Sequence, residues 1–466
     1  MKLVHSYKLF PVILFFMINS MLAQNPEGSW QGVLQIMGQE IRLVFHLEND
    51  EGVWKAKMDS PDQGVTGIQV DEMLLDDRQI EMKITAAGIR YTGLVKTDQI
   101  IGTFHQAGLQ LPLILNKMEE GDEVVVEKES RPRPQDPQPP FPYQEEIVEF
   151  FNQEAKIRLE GTLTTPEGAG PFPAVVLITG SGPQNRNSEL LGHRPFLVIA
   201  DHLSRNGIAV FRYDERGVGA SEGDFSRATT VDFASDAKAA IEILKGYPNI
   251  DPKRTGIVGH SEGGLVAPMV AVQSDDVDFL ILMATSGVRG DQLLLEQKKQ
   301  VEIKMGLDSA MVVESLVHFA NAYKVIVSGK LEGEDLKKGV KEALQPVLGP
   351  SVPEAQTDAL IAQLLSPWMK FFIRHDPAEV LKKVDCPVLA FNGDLDLQVS
   401  AEINLRAIEQ ALKEGNHPQI DTQLFEGLNH LFQTANTGLP TEYELIEETF
   451  APEVMELMVK WIKNLD

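Results

Sequence analysis

A single cysteine, Cys386, stands in 466 residues, so no disulfide can form within the chain. A chain of this length buries enough apolar surface to hold a core without one. Cys386 lies in Asp-Cys-Pro-Val-Leu-Ala-Phe, where it reads as a small core residue at the start of a buried strand. Basic residues are also scarce: 42 Lys and Arg stand against 68 Asp and Glu, a formal charge of −26. That balance excludes nucleic acid as a partner, because a phosphate backbone would be repelled. No His/Cys cluster has metal-ligand spacing, and neither a metal nor another cofactor is expected. The remaining composition, 43% hydrophobic and 24% charged, is that of a globular protein with room for two or three domains.

Residues 1–23 stand apart. Lys2 and Lys8 precede an apolar run from Leu9 to Ile18, and Leu22-Ala23 leads into Gln24-Asn25. A positive start, a short apolar centre and a small residue at the exit form a secretory signal peptide. The run is too short for a comfortable membrane span, so no span is expected once the signal is removed. No cysteine lies nearby to carry a lipid. The expectation is an exported protein, periplasmic or secreted, with an uncleaved anchor as the alternative.

From residue 24 to 117 the chain reads as short strands and turns. Val33–Ile36, Ile41–Leu47, Trp54–Met58, Ile80–Ile84 and Ile100–His105 alternate wholly or partly, and Asp- or Gly-rich breaks separate them. This spacing predicts a small all-β accessory domain, a barrel or a sandwich. His46 and His105 fall inside strand patterns and are expected to be structural. Residues 118–142 change character, ending in Arg131-Pro-Arg-Pro-Gln-Asp-Pro-Gln-Pro-Pro-Phe-Pro142. Prolines this dense prevent helix and sheet, and predict an extended linker.

Beyond residue 143 strands and helices alternate. Glu146–Phe151 and Lys156–Thr165 read as an opening antiparallel pair. Ala174–Thr179, Ile208–Tyr213, Thr255–His260, Phe279–Ala284 and Pro387–Phe391 are near-continuous apolar runs, as in strands covered on both faces. Helical patterns over Arg194–Arg205, Thr230–Lys245, Ala401–Leu412 and Pro452–Ile462 intervene. The fold class is therefore α/β, a doubly wound, mostly parallel sheet preceded by the small all-β domain. Between residues 288 and 384 the rhythm breaks into helical patterns with no strand. An insertion there predicts a helical cap over the carboxyl ends of the strands. Its most aromatic part, Ser366–Ile373, offers Trp368, Phe371 and Phe372 as pocket walls, with plain packing as the alternative.

The chemistry centres on Gly259-His-Ser-Glu-Gly263, where a strand meets a helix through a sharp turn at Ser261. This G-x-S-x-G arrangement strains the serine backbone and lifts its hydroxyl above the sheet, with glycines where a Cβ would collide. Such a serine needs a base and an orienting acid, in the order nucleophile, acid, base. His430 follows the last strand at the sheet's carboxyl edge and is the candidate base. Asp396 leaves the preceding strand and is the candidate acid; Asp394, two residues earlier, is the alternative, its other role being to bond the turn backbone. The backbone N–H groups of Ser181, in Thr179-Gly-Ser-Gly-Pro183, and of Glu262 are the candidate oxyanion donors.

These motifs, with Phe211-Arg-Tyr-Asp-Glu-Arg-Gly-Val-Gly-Ala-Ser-Glu-Gly223 between them, occur in the order found in α/β-hydrolases. The sequence resembles the serine hydrolases grouped with serine aminopeptidase-like and dienelactone-hydrolase-like esterases, over roughly residues 145–466. That resemblance implies Ser261, Asp396 and His430 as a triad, and Asp214 and Arg216 as a turn-fixing pair. The expected activity is carboxylic-ester hydrolysis of a small molecule through an acyl-enzyme. The alternatives are a peptidase releasing short or N-terminal residues, in which Glu262 or a cap glutamate would hold the substrate amine, and a non-catalytic binding protein on the same scaffold. A haloalkane or epoxide hydrolase would need a carboxylate where Ser261 stands.

Overall fold

The computed structural model describes residues 26–36, 39–50, 53–61, 65–76, 78–85, 88–106, 109–118, 133–348, 354–417 and 419–465. The expected signal peptide and residues 119–132 of the expected linker lie outside the described residues. The chain divides into two compact units, Met1–Val126 and Glu127–Asp466.

The first unit is a single antiparallel sheet rather than a two-sheet sandwich. Its nine strands are β1 (Gly28–Ile36), β2 (Gln39–Asp50), β3 (Val53–Ser60), β4 (Val65–Gln69), β5 (Glu72–Asp76), β6 (Gln79–Ile84), β7 (Ile89–Val95), β8 (Gln99–Gln106) and β9 (Leu109–Lys117). Consecutive strands are neighbours except β4 and β5, which form the two edges, and β1 pairs with β9, giving the order β4-β3-β2-β1-β9-β8-β7-β6-β5. Val70 N–H donates to Ala56 O and Asp71 N–H to Lys83 O, so the connection between β4 and β5 draws the two edges toward each other in a half-barrel. Inward positions carry Trp30, Phe45, Met58, Tyr91 and Phe104, all buried. Tyr91 fills the centre, its hydroxyl within reach of the carbonyls of Ile100 and Leu113 at 3.0 and 3.1 Å. Residue 102 must be glycine, because a Cβ there would come 2.6 Å from the Tyr91 ring. The alternation that buries Trp30, Phe45 and Met58 turns Ser29, His46 and Asp59 to the other face, where they bond one another.

The second unit is built on an eight-stranded sheet. Its strands are β10 (Tyr143–Asn152), β11 (Ile157–Pro166), β12 (Phe172–Ile178), β13 (Ala209–Tyr213), β14 (Ile250–His260), β15 (Phe279–Met283), β16 (Val388–Gly393) and β17 (Ile420–Phe425). The order is β10-β11-β13-β12-β14-β15-β16-β17, with β10 and β11 antiparallel and the rest parallel from β13 onward. The strands β13, β15 and β16 are buried at every position, which is why the sequence shows them as unbroken apolar runs. Helices α1 (Pro195–Arg205) and α11 (Pro452–Lys463) cover one face; α2 (Thr230–Lys245), α3 (Gly263–Ala271) and α10 (Ala401–Glu414) cover the other.

The insertion between β15 and β16 consists of α4 (Gly290–Lys304), α5 (Ser309–Ser328), α6 (Gly333–Leu348), α7 (Glu354–Leu364), α8 (Pro367–Arg374) and α9 (Ala378–Leu381). Asp308 caps α5 by accepting from Ala310 and Met311 N–H, and Gly329, at φ +62°, ends it. This helix is long and apolar enough to cross a membrane by length and composition, and its Ala322, Tyr323 and Ile326 pack in a small core with Leu336, Val340, Leu344 and Ile373.

Two expectations change here. Part of the proline-rich stretch is docked rather than solvated. Arg133 donates to the carbonyls of Leu191, Glu444 and Ile446, and Gln135 bonds the backbone of Thr449 and Phe450. Proline denies the segment its own ladder, so the side chains between the prolines bond loops of the second unit instead. Asp214 and Arg216 do fix turns, but not as a pair. Asp214 takes two bonds from the Arg186 guanidinium and Arg216 gives two to Asp236.

Candidate active site

The turn at Ser261 forms because three glycines let backbone pass where side chains would not fit. A Cβ on Gly259 would fall 2.1 Å from Gly263 O, and one on Gly263 would fall 2.2 Å from Ile178 O. Strand β14 and helix α3 therefore close tightly, and Ser261 is left at φ +54°, a conformation that L residues adopt only under strain. A Cβ on Gly180 would lie 3.2 Å from that of Ser261, so the loop after β12 passes directly against the serine.

The His430 loop follows β17. Gly393 permits its approach, since a Cβ there would meet Leu428 O at 2.1 Å. Asn429 shapes the turn by accepting from the N–H groups of Leu431 and Gln433. His430 Nδ1 then stands 2.7 Å from Asp396 Oδ2. Asp396 is 1% exposed, and its other oxygen accepts from Gln398 and Val399 N–H, both at 2.8 Å. Asp394 points elsewhere and accepts from Gly427 N–H. Ser261, His430, Gly180 and Ser181 all line one cavity of about 420 Å³. Among the described residues the N–H groups of Ser181 and Glu262 find no acceptor. That leaves them able to receive an oxygen.

Two neighbours complete the setting. His260 donates from Nε2 to His430 O at 2.9 Å, and the two rings lie 4.9 Å apart. Burial, reinforced by His430, lowers the His260 pKa to about 3, so it is neutral. The Glu262 carboxyl is buried, which raises its pKa, and its Oε1 accepts from Thr230 Oγ1 and Trp368 Nε1, both at 2.7 Å.

The cap supplies Leu293, Leu294, Gln363, Trp368, Met369 and Phe372 to the cavity wall. Trp368 and Phe372, four residues apart on α8, stack with ring centroids 5.3 Å apart. Phe371 does not line the cavity. It lies off that face of the helix, stacked on His375 and packed against the sheet's core. The rest of the wall was not visible in the sequence: Leu190 and His193 before α1, Phe196 in its first turn, and Tyr443, Thr449 and Phe450 from the segment before α11. They carry no motif, and the loop bonds to Arg133 and Gln135 that hold them span about three hundred residues of chain.

Comparison with known proteins gives relatives in the same direction. A family model described as serine aminopeptidase, S33, matches residues 194–332. The chain is 27% identical over 307 residues to esterase EstD of Thermotoga maritima, covering 65% of this chain and 66% of that protein. It is 34% identical over 118 residues to an uncharacterised protein of Mycobacterium tuberculosis, covering 25% of this chain and 38% of the relative. It thus spans less than two thirds of the length of either. Among solved structures, an esterase of Pyrococcus furiosus is similar over 69% of this chain and 92% of its own, with 16% identity and a TM-score of 0.41. With its strand order, the turn at Ser261 and the matched segment taken together, the chain has the α/β-hydrolase fold.

Proposed function

We propose that the protein hydrolyses uncharged carboxylic esters through an acyl-enzyme on Ser261. The observation that carries this reading is a strained serine sharing one cavity with a histidine whose far nitrogen is bonded to a buried carboxylate. In the first step Ser261 Oγ attacks the ester carbonyl while His430 Nε2 takes its proton. The carbonyl oxygen gains the negative charge and accepts from Ser181 and Glu262 N–H. Asp396 holds the His430 tautomer and supports the imidazolium. The C–O bond to the alcohol then breaks, and His430 returns the proton to the leaving oxygen. Water repeats the sequence to release the acid.

Two observations favour an ester over the N-terminal residue of a peptide. An aminopeptidase needs a carboxylate for the substrate amine, and no Asp or Glu lines the cavity among the described residues. Glu262, the candidate for that role, already has Thr230 and Trp368 on its carboxylate. No Lys or Arg lines the cavity either, which favours an uncharged acyl group. The wall is apolar apart from histidines, hydroxyls and the neutral amides of Gln184, Gln297, Gln363 and Gln398. A panel of p-nitrophenyl esters and aminoacyl-anilides tests the reading: short and medium uncharged esters are expected to turn over fastest. Faster turnover of aminoacyl-anilides than of every ester would replace it with the peptidase. Export of the mature enzyme is proposed from residues 1–23, and N-terminal sequencing of the secreted or periplasmic form checks it.

A further inference from the structure

Part of the cavity wall comes from two segments far apart in sequence, and a short piece of the proline-rich stretch fastens them together. Segment 187–193 precedes α1 and supplies Ser188, Leu190 and His193; segment 440–450 precedes α11 and supplies Tyr443, Thr449 and Phe450. The first is strained, with Ser188 and Leu191 both at φ +52°, a conformation that persists only where neighbours hold it. Arg133, within the same compact unit, reaches both segments. Its Nη2 donates to Leu191 O at 3.0 Å and to Glu444 O at 3.1 Å, and its Nη1 donates to Ile446 O at 2.7 Å. Gln135 Oε1 accepts from Thr449 and Phe450 N–H at 2.6 and 3.0 Å, while its Nε2 donates to Phe450 O at 2.6 Å. Asp136 pairs with Arg194 at the start of α1, at 2.5 Å. His193, which lines the cavity, joins the same two segments directly: Nε2 donates to Tyr443 O at 2.9 Å and Nδ1 accepts from Thr449 Oγ1 at 3.0 Å.

We infer that Arg133 and Gln135 are positioning residues that hold the two segments as one wall and so set which substrates fit the cavity. The inference deepens the hydrolase reading and rests on it. A guanidinium suits the task, because its planar fork of donors reaches several carbonyls at once. The reacting groups are fastened by other bonds. Between Ser181 and the first segment, Gln184 N–H is held by Glu215 and the Arg186 guanidinium by Asp214. The His430 turn is closed by its own Asn429. Loosening the wall therefore removes contacts made equally to bound substrate and transition state, which raises KM and leaves kcat nearly alone.

The test uses the full chain and three variants. Arg133→Met removes every donor at similar length, Arg133→Lys keeps a charge able to reach some of the carbonyls, and Gln135→Leu frees only the 449–450 end. Fluorophosphonate titration counts the reactive Ser261 in each, so kcat refers to folded sites. Two ester series are measured: p-nitrophenyl esters of increasing acyl length, and esters of one acid with alcohols of increasing size. Arg133→Met is expected to raise KM roughly 3- to 10-fold with kcat within about twofold of wild type. In one of the two series the rise should grow with size, because that half of the ester lies on this wall. Gln135→Leu should give a smaller rise of the same kind, and Arg133→Lys should recover part of the loss. Labelled sites with wild-type KM in both series, or a fall confined to kcat, overturn the inference and reduce the bonds to fold stabilisation. A rise in KM that is flat in both series overturns it too. Should Arg133→Met fail to fold, Gln135→Leu and Arg133→Lys decide the matter by the same criteria. Wild-type protein that neither labels nor turns over any ester ends the hydrolase reading and this inference with it. Wild type that labels and turns over, beside variants with its KM and size profiles, ends the inference alone.

Discussion

Two groupings of serine, histidine and aspartate occur in this chain, and their distances are nearly alike. In the β unit, Ser29 Oγ stands 2.8 Å from His46 Nδ1, and His46 Nε2 stands 2.9 Å from Asp59. In the second unit, His430 Nδ1 stands 2.7 Å from Asp396, with Ser261 on the same cavity. Their surroundings differ. The His46 and Asp59 side chains are 32% and 18% exposed, whereas those of His430 and Asp396 are 6% and 0% exposed. Ser29 sits in a regular strand in register with His46, on the face opposite the core. Ser261 sits at a strained turn with two N–H groups free to receive charge. The carboxylate also meets the other ring nitrogen in the two cases. A short contact between histidine and carboxylate thus says little. A buried histidine–carboxylate pair, a serine at a strained turn and aimed donors are what let such a contact support catalysis.

The largest effect that would sharpen this contrast comes from Asp396→Asn. It should leave the fold intact and lower kcat on the order of 10⁴-fold, as expected when the imidazole is held in the wrong tautomer. Steady-state kinetics on the best p-nitrophenyl ester checks it, and an equal loss in Asp394→Asn would move the acid two residues back.

Next in size is Trp368→Ala. Opening the wall beside Phe372 should shift the preferred acyl length toward longer chains and change relative kcat/KM by roughly tenfold, since a few methylenes in an apolar pocket discriminate on that scale. A chain-length profile identical to wild type would make Trp368 a packing residue only.

A third prediction concerns pH and stability. Burial raises the Glu215 pKa to about 8, above its ordinary carboxylate value. The folded protein keeps this proton where the unfolded chain has lost it, so the associated stability is full below the ordinary pKa and is lost as pH rises through about 8. Glu215→Gln should therefore lose less Tm than wild type between pH 5 and pH 9, as read by thermal melts at both. A wild type and variant with parallel pH profiles would show Glu215 ionised throughout.

The smallest effect belongs to the other grouping. Asp59→Asn should leave kcat and KM unchanged and destabilise the β unit by ~1 kcal/mol or less, the usual size for a partly exposed pair. Any loss of turnover from this substitution would erase the distinction between the two sites.

Both groupings lie within strand or loop patterns that the sequence displays, yet only one announced itself. Gly259-His-Ser-Glu-Gly263 is legible because the turn's sterics demand glycine at fixed spacing, and strand and helix flank it on either side. His46 and Asp59 are brought together by the register of β2 and β3, which leaves no mark in the residues between them. The β unit's closure was equally hidden. Its β9, Leu109–Lys117, contains Pro112, a residue that argues against a strand, and the pairing with β8 accommodates it.

The sequence by itself determined the alternation of strands and helices, the insertion and the order of Ser261, Asp396 and His430, because periodicity and turn chemistry act between residues close in the chain. Tertiary structure alone decided what surrounds them. It turned Phe371 away from the cavity while Trp368 and Phe372 line it, brought Tyr443 and Phe450 into the wall, and set the Glu262 carboxylate between Thr230 and the cap's Trp368. Those contacts join residues up to about three hundred positions apart, such as Arg133 and Ile446, and depend on the packing of whole elements rather than on any local spacing.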